Sequence, residues 1–145
     1  LLERTGTGPR GSITALYTVL AEDEDSADPI AEEVRGILDG HLILSRKIAA
    51  KSQYPAIDAL HSLSRAMPQV VSPEHASSAD ALRMLMAKYD DVEMLLQVGE
   101  YRQGSDPLAD LAVHRIGDIR AFLQQHTSHL HDYDGIVAQL QKLVQ

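Results

Sequence analysis

Apolar residues follow two rhythms along this chain, and the change from one to the other falls just after Arg65. Before it, they come in short unbroken runs rich in β-branched side chains. Residues 12–20, SITALYTVL, are apolar on both faces and predict a central strand of a parallel sheet. Residues 41–44 and 56–60 have the length of buried strands. Between the first two runs, Asp28-Pro29 predicts a helix start, with aspartate as cap, proline in the first turn, and Glu32 and Glu33 where the dipole favours negative charge. Ile30, Val34, Ile37 and Leu38 mark its buried face, and Asp39-Gly40 ends it. Strand, helix and strand in that order predict a βαβ unit, the tail of a layered α/β domain.

Beyond Arg65 the spacing becomes three and four. Ser72-Pro73 opens a long helix in which Leu82, Leu85, Met86, Tyr89, Val92 and Leu96 share a face, with Arg83, Lys88, Asp90 and Glu93 elsewhere around it and Gly99 at its end. Met84, Met86 and Met94 read as core filler. Asp106-Pro107 starts a second helix with Leu108, Leu111, Ile119, Phe122 and Leu123 inward. Asp132 caps a last one carrying Ile136, Val137, Leu140, Leu143 and Val144. Residues 68–145 are therefore expected to form a small helical bundle, and residues 1–67 the α/β part.

Composition narrows the function classes. An apolar fraction of 44% over 145 residues suffices for a core, which excludes a disordered chain. A formal charge of -8 argues against nucleic acid as the main partner, because phosphate binding wants a basic face. The absence of cysteine removes disulfide and thiolate chemistry and fits a cytosolic setting. Leu1-Leu2-Glu3-Arg4 opens the chain without methionine and on an apolar pair, so a fragment of a longer protein is expected.

The candidate chemistry is concentrated in residues 40–65, GHLILSRKIAAKSQYPAIDALHSLSR. Arg46 follows one apolar run and Arg65 the next; proline at position 55 biases Tyr54 towards an extended conformation that can turn its ring outward. Open α/β sheets bind ligands at such strand ends, although an arginine there commonly just returns the chain to solvent. No Gly-x-x-x-x-Gly-Lys-Ser/Thr loop occurs, and no apolar strand ends in a magnesium-binding aspartate. The glycine-rich stretch 6–11 lacks the lysine and the following helix, so it reads as a mobile turn, and the acidic run 22–28 as a solvated loop. His126, His129 and His131 beside Asp132 match no closed zinc motif, so no metal site is expected. No serine lies in a nucleophile-elbow pattern.

The order of the motifs is more specific than any one of them. DGHLILSRKIA, YPAID and SLSR closely resemble the DGHIVLSRxLA, YPAID and SxSR segments of the type III secretion ATPases, relatives of the flagellar export ATPase and the rotary ATP synthase subunits. LLERTG, GSITALYTVL, DPIAEEVRGILDGH and EYRQGSDPLADLA extend the resemblance to about Gln125, after which it fades. It implies the end of a RecA-like nucleotide-binding domain through about Met67, then a helical domain.

It also implies ATP hydrolysis with Mg2+ at the interfaces of a homo-oligomeric ring, expected to be hexameric, with the magnesium ligands and phosphate loop outside this piece. Arg65 would be catalytic, reaching the nucleotide held by the neighbouring subunit, while Arg46 is structural. Tyr54 would lie against the adenine, and Tyr133 would be a second adenine-facing aromatic. The loop at residues 100–110 would face a central stalk, chaperone or substrate. Cytoplasmic location, peripheral association with a membrane export apparatus, and a role in releasing chaperones and unfolding effectors follow from the same resemblance. The piece alone should not hydrolyse ATP. The alternatives are a flagellar export ATPase, or a non-enzymatic module whose helices bind chaperone or stalk.

Overall fold

A computed structural model describes residues 5–20 and 28–145, which fall into two compact units, Leu1–His41 and Leu42–Gln145. Most of the acidic run at 22–28, like Leu1-Leu2-Glu3-Arg4, lies outside the described residues. In the first unit, β1 (Gly6–Gly8) and β2 (Gly11–Ile13) form an antiparallel hairpin with Gly6 opposite Ile13 and Gly8 opposite Gly11. The glycine-rich stretch is thus a paired ribbon turning at Pro9-Arg10. Gly6 has φ +115°, a left-handed value that glycine takes without a Cβ clash.

The central strand expected at 12–20 ends at Ile13. Among the described residues nothing pairs with 14–20, and Leu16 and Leu20 are 97% and 90% exposed. A strand apolar on both faces needs neighbours on both edges and cover on both faces, and the described residues supply neither. Helix α1 (Pro29–Ile37) starts where expected: Asp28 Oδ1 accepts the Ala31 N–H at 3.4 Å and its carbonyl accepts that of Glu32 at 3.0 Å. Ala31 is buried, whereas Ile37 of the expected inner face is exposed. Strand β3 (Gly40–Leu44) pairs with β4 (Ile57–Ser64) and not with β2, so the βαβ unit is not formed among these residues.

In the second unit a short helix α2 (Arg46–Ala50) joins β3 to β4, and α3 (Met67–Val70) leads to the bundle of α4 (Pro73–Gln97), α5 (Pro107–Leu123) and α6 (Tyr133–Leu143). The caps follow from residue type. The Ser72 hydroxyl accepts the His75 N–H at 3.2 Å, Asp106 accepts those of Leu108 and Ala109, and Asp132 accepts that of Gly135 at 2.6 Å. Leu82 and Leu85 of α4, Ala112 and Ile119 of α5 and Leu140 of α6 form the core, with Met86, Tyr89, Leu108 and Phe122 packed around them.

Three expected inward residues differ. Leu111, Met84 and Met94 are exposed; α5 buries Ala109 and Ala112 instead. Small side chains at these positions let helix backbones approach closely, a use of apolar residues that a periodicity of large side chains does not register. Among the described residues no helix is long and apolar enough to cross a membrane.

Candidate functional site

Strand β4 departs from a straight run between Asp58 and Ser62, shortly before the chain reaches Arg65. Asp58 Oδ1 accepts the N–H groups of Leu60 and His61 at 3.1 and 3.0 Å, while Oδ2 meets His61 Nδ1 at 2.9 Å. An aspartate bonded to backbone two and three residues on offers the chain a turn in place of a ladder. Partial burial works to raise the Asp58 pKa, but the His61 backbone N–H, its ring and the Leu60 N–H together outweigh burial and hold the carboxyl below its usual range.

Ser62 closes the bend. Its buried hydroxyl donates to the Asp58 carbonyl at 2.5 Å and accepts the Ile43 N–H from β3 at 3.0 Å. From α4, half-buried Arg83 adds a clamp, its Nη2 donating to the carbonyls of Leu60 at 3.1 Å and Ser62 at 2.9 Å. The Ser64 hydroxyl then accepts the Met67 N–H at 3.2 Å. Arg65 stands exposed between these two fixed points, immediately beyond β4.

Arg46 and Tyr54 stand at the entrance to β4, where the Ser45 N–H donates to the Ala56 carbonyl at 2.9 Å. Tyr54 is 59% exposed and joined to Pro55 by a cis peptide bond. Its carbonyl accepts the Gln125 N–H at 2.9 Å, which brings the loop before α6 to this point. Within that loop, Gln125 Nε2 donates to the His129 carbonyl and His126 Nδ1 lies 2.7 Å from Ser128 Oγ. Among the described residues no group of three or more His, Asp or Glu is arranged to hold a metal ion.

The loop ends at Tyr133, the first residue of α6, whose ring is also largely exposed. Its hydroxyl is 3.1 Å from His75 Nδ1, and the rings meet edge to face with centroids 5.9 Å apart. A Cβ at position 135 would come within 3.1 Å of the capping Asp132 carboxylate, so glycine there keeps the first turn carrying Tyr133 undistorted.

At the far end of α4, Gly99 and Gly104 take φ +73° and +87°, values that suit glycine in this tight loop. Asp110 gathers the loop, its Oδ1 accepting the Tyr101 hydroxyl and its Oδ2 the Gly104 N–H, each at 2.8 Å. Lys88 Nζ lies 2.8 Å from Asp106 Oδ2 and ties α4 to the start of α5. The Lys88 hydrogen bond and the Ala109 N–H hold the Asp106 carboxyl below its usual range, and Asp106 in turn raises Lys88.

The sign of the pH effect follows. Stabilisation from Asp106 is complete above the ordinary carboxylate range and is lost as pH falls through its lowered value; that from Lys88 is lost as pH rises through its raised one. We expect Asp106→Ala to lower the unfolding midpoint at neutral pH and to narrow its difference from the acid midpoint. Thermal melts at the two pH values read both.

Two family models match successive parts of the chain: the ATP synthase alpha/beta family, nucleotide-binding domain, over residues 1–64, and the T3SS EscN ATPase C-terminal domain over residues 71–142. A type 3 secretion system ATPase of Xanthomonas euvesicatoria is 66% identical over 134 residues, which is 92% of this chain and 30% of that protein. The chain belongs to the type III secretion ATPase family.

The chain spans about a third of the length of the secretion ATPases it matches. The assembled secretion ATPase EscN from enteropathogenic E. coli resembles it with a TM-score of 0.94 at 46% identity, covering 99% of this chain and 35% of that one. EscN in complex with its central stalk EscO gives 0.89 at 44% identity, covering 99% and 34%.

Within this chain, sequence reasoning missed Arg83, Asp58 and Ser62. A signal for Arg83 existed. It lies four residues after Ala79 and three before Met86, both packed on the core, and an arginine bordering a buried face needs acceptors nearby.

Proposed function

We propose that this chain is the carboxy-terminal part of an ATPase that hydrolyses ATP at the interfaces of a homo-oligomeric, hexameric ring and uses the energy to release chaperones and unfold export substrates. Residues 1–67 end its RecA-like nucleotide-binding domain and residues 68–145 form its helical domain. The observation that carries the reading is the exposed Arg65 held at the exit of a bent, clamped strand. A permanently charged, planar guanidinium on a fixed backbone suits charge spread over a transferring phosphoryl group. Arg65 in this role acts on the nucleotide of the neighbouring subunit.

Tyr54 and Tyr133 flank the adenine in this reading. Both rings are exposed, the Tyr54 backbone is bonded to one end of the loop at Gln125 and Tyr133 follows its other end, and stacking discriminates weakly among bases. The chain carries no phosphate loop, so the groups that hold ATP phosphates and Mg2+ lie elsewhere in the whole protein, and this piece alone is inactive. The loop gathered by Asp110 faces a central stalk, chaperone or substrate in this reading, and the likeness to EscN, solved in complex with its central stalk EscO, supports a stalk as one partner. Chaperones and effectors are the remaining partners, and nucleic acid is not one. The place of action is the cytoplasm, with peripheral association at an inner-membrane export gate.

ATP hydrolysis by the full-length protein tests the reading. Tyr54→Ala should raise KM for ATP about 10-fold with little change in kcat, in line with the loss of one stacked base. A full-length protein without ATP turnover would overturn the assignment, and an unchanged KM would leave Tyr54 as a turn residue.

A further inference from the structure

We infer that Arg83 is a positioning residue, which holds the exit of β4 and thereby the Arg65 guanidinium in working geometry and links it mechanically to the helical bundle. The inference rests on the reading of Arg65 as the group acting across the subunit boundary. Arg83 contributes two hydrogen bonds from one nitrogen, at 3.1 and 2.9 Å, to the carbonyls of Leu60 and Ser62. Both carbonyls belong to the segment that Asp58 and Ser62 bend out of a regular strand. A carbonyl in a bent segment can accept a donor from outside the sheet. Arg83 is such a donor, and it comes from another element.

Ser62 is three residues from Arg65, and beyond Arg65 the Ser64–Met67 hydrogen bond fixes the next turn. The backbone carrying the guanidinium is therefore held on one side by α4 and on the other by the start of α3. Helix α4 is also the helix whose far end carries the loop gathered by Asp110, and its middle is buried in the bundle through Leu82, Leu85 and Val92. A displacement of α4 along or about its axis must then pull on two carbonyls that lie three and five residues before Arg65. A misplacement of about 1 Å in a reacting group costs on the order of 10²-fold in rate, so a clamp of this kind affects turnover without touching nucleotide.

The test is a double-mutant cycle on ATP turnover by the full-length protein. Arg83→Ala is expected to lower kcat by about 10- to 100-fold with KM for ATP within about twofold of wild type. The Arg65→Ala/Arg83→Ala double variant should be no slower than Arg65→Ala alone, because the clamp has nothing left to position. Losses that multiply in the double variant, or wild-type kcat in Arg83→Ala, would overturn the inference while leaving the role of Arg65 standing. Normal turnover in Arg65→Ala would instead remove the reading on which it rests. Should the alanine variant fail to assemble, Arg83→Lys carries the same cycle. A flexible ammonium replaces a planar donor, so a several-fold loss of kcat confined to the Arg65 background is expected, and wild-type kcat there counts against the clamp.

Discussion

Arg65→Ala in the full-length protein should lower ATP turnover by about 10³-fold or more while leaving nucleotide affinity close to wild type. The expectation comes from where the charge is needed. Charge on the transferring phosphoryl group is greatest in the transition state, so a guanidinium aimed there contributes to kcat more than to ground-state binding. Arg65 is exposed at a strand exit that Arg83, Asp58 and Ser62 hold from one side and Ser64 from the other. Arg65→Lys should recover little, since an ammonium keeps the charge but not the paired, coplanar donors. Steady-state kcat and KM, with nucleotide binding measured separately, distinguish this from a fold defect. Equal losses in affinity and turnover would point to a structural arginine.

Ile119→Ala is expected to destabilise the helical bundle by about 2–5 kcal/mol. Ile119 is fully buried at 0% exposure, where α4, α5 and α6 converge through Leu82, Leu85, Ala112 and Leu140. Removing its branched side chain leaves a cavity bounded by three helices whose backbones are already capped at Ser72, Asp106 and Asp132, so collapse recovers little. Denaturant unfolding followed by helical circular dichroism reads the loss. Leu111→Ala on the same helix provides the comparison: Leu111 is 43% exposed, and its truncation should change stability by roughly 0.5 kcal/mol or less. Similar losses at both positions would contradict this assignment of the inner face.

Helix starts were the most legible part of the sequence, because each is carried by one residue type acting on its own neighbours. Ser72, Asp106 and Asp132 cap α4, α5 and α6 as their positions before proline or an apolar run predicted. Gly99 with φ +73° ends α4 for an equally local reason. What depended on partners elsewhere was less legible. The run at 12–20 reads as a central strand, yet a strand is defined by its neighbours, and the described residues pair only up to Ile13.

The inner face of α5 was misread at Leu111 because burial there goes to alanines that permit close approach. At the candidate site the sequence pointed to Arg65 and Tyr54 through motifs, and to Tyr133 only through the part of the resemblance that fades after Gln125. It gave no sign of the bend that Asp58 and Ser62 impose on β4, since a polar residue inside an apolar run looks like an interruption until its hydrogen bonds are known.

The central claim is that Arg65 completes a site whose other parts belong to a second copy of the molecule, and mixed rings test it most directly. Full-length Arg65→Ala subunits would be combined with subunits whose phosphate loop is disabled but whose Arg65 is intact, each inactive alone. If Arg65 acts across the boundary, interfaces pairing the two kinds regain a complete site, and random equal mixing should restore up to about a quarter of wild-type ATP turnover. Mixed rings that assemble but remain as inactive as either parent would contradict the account.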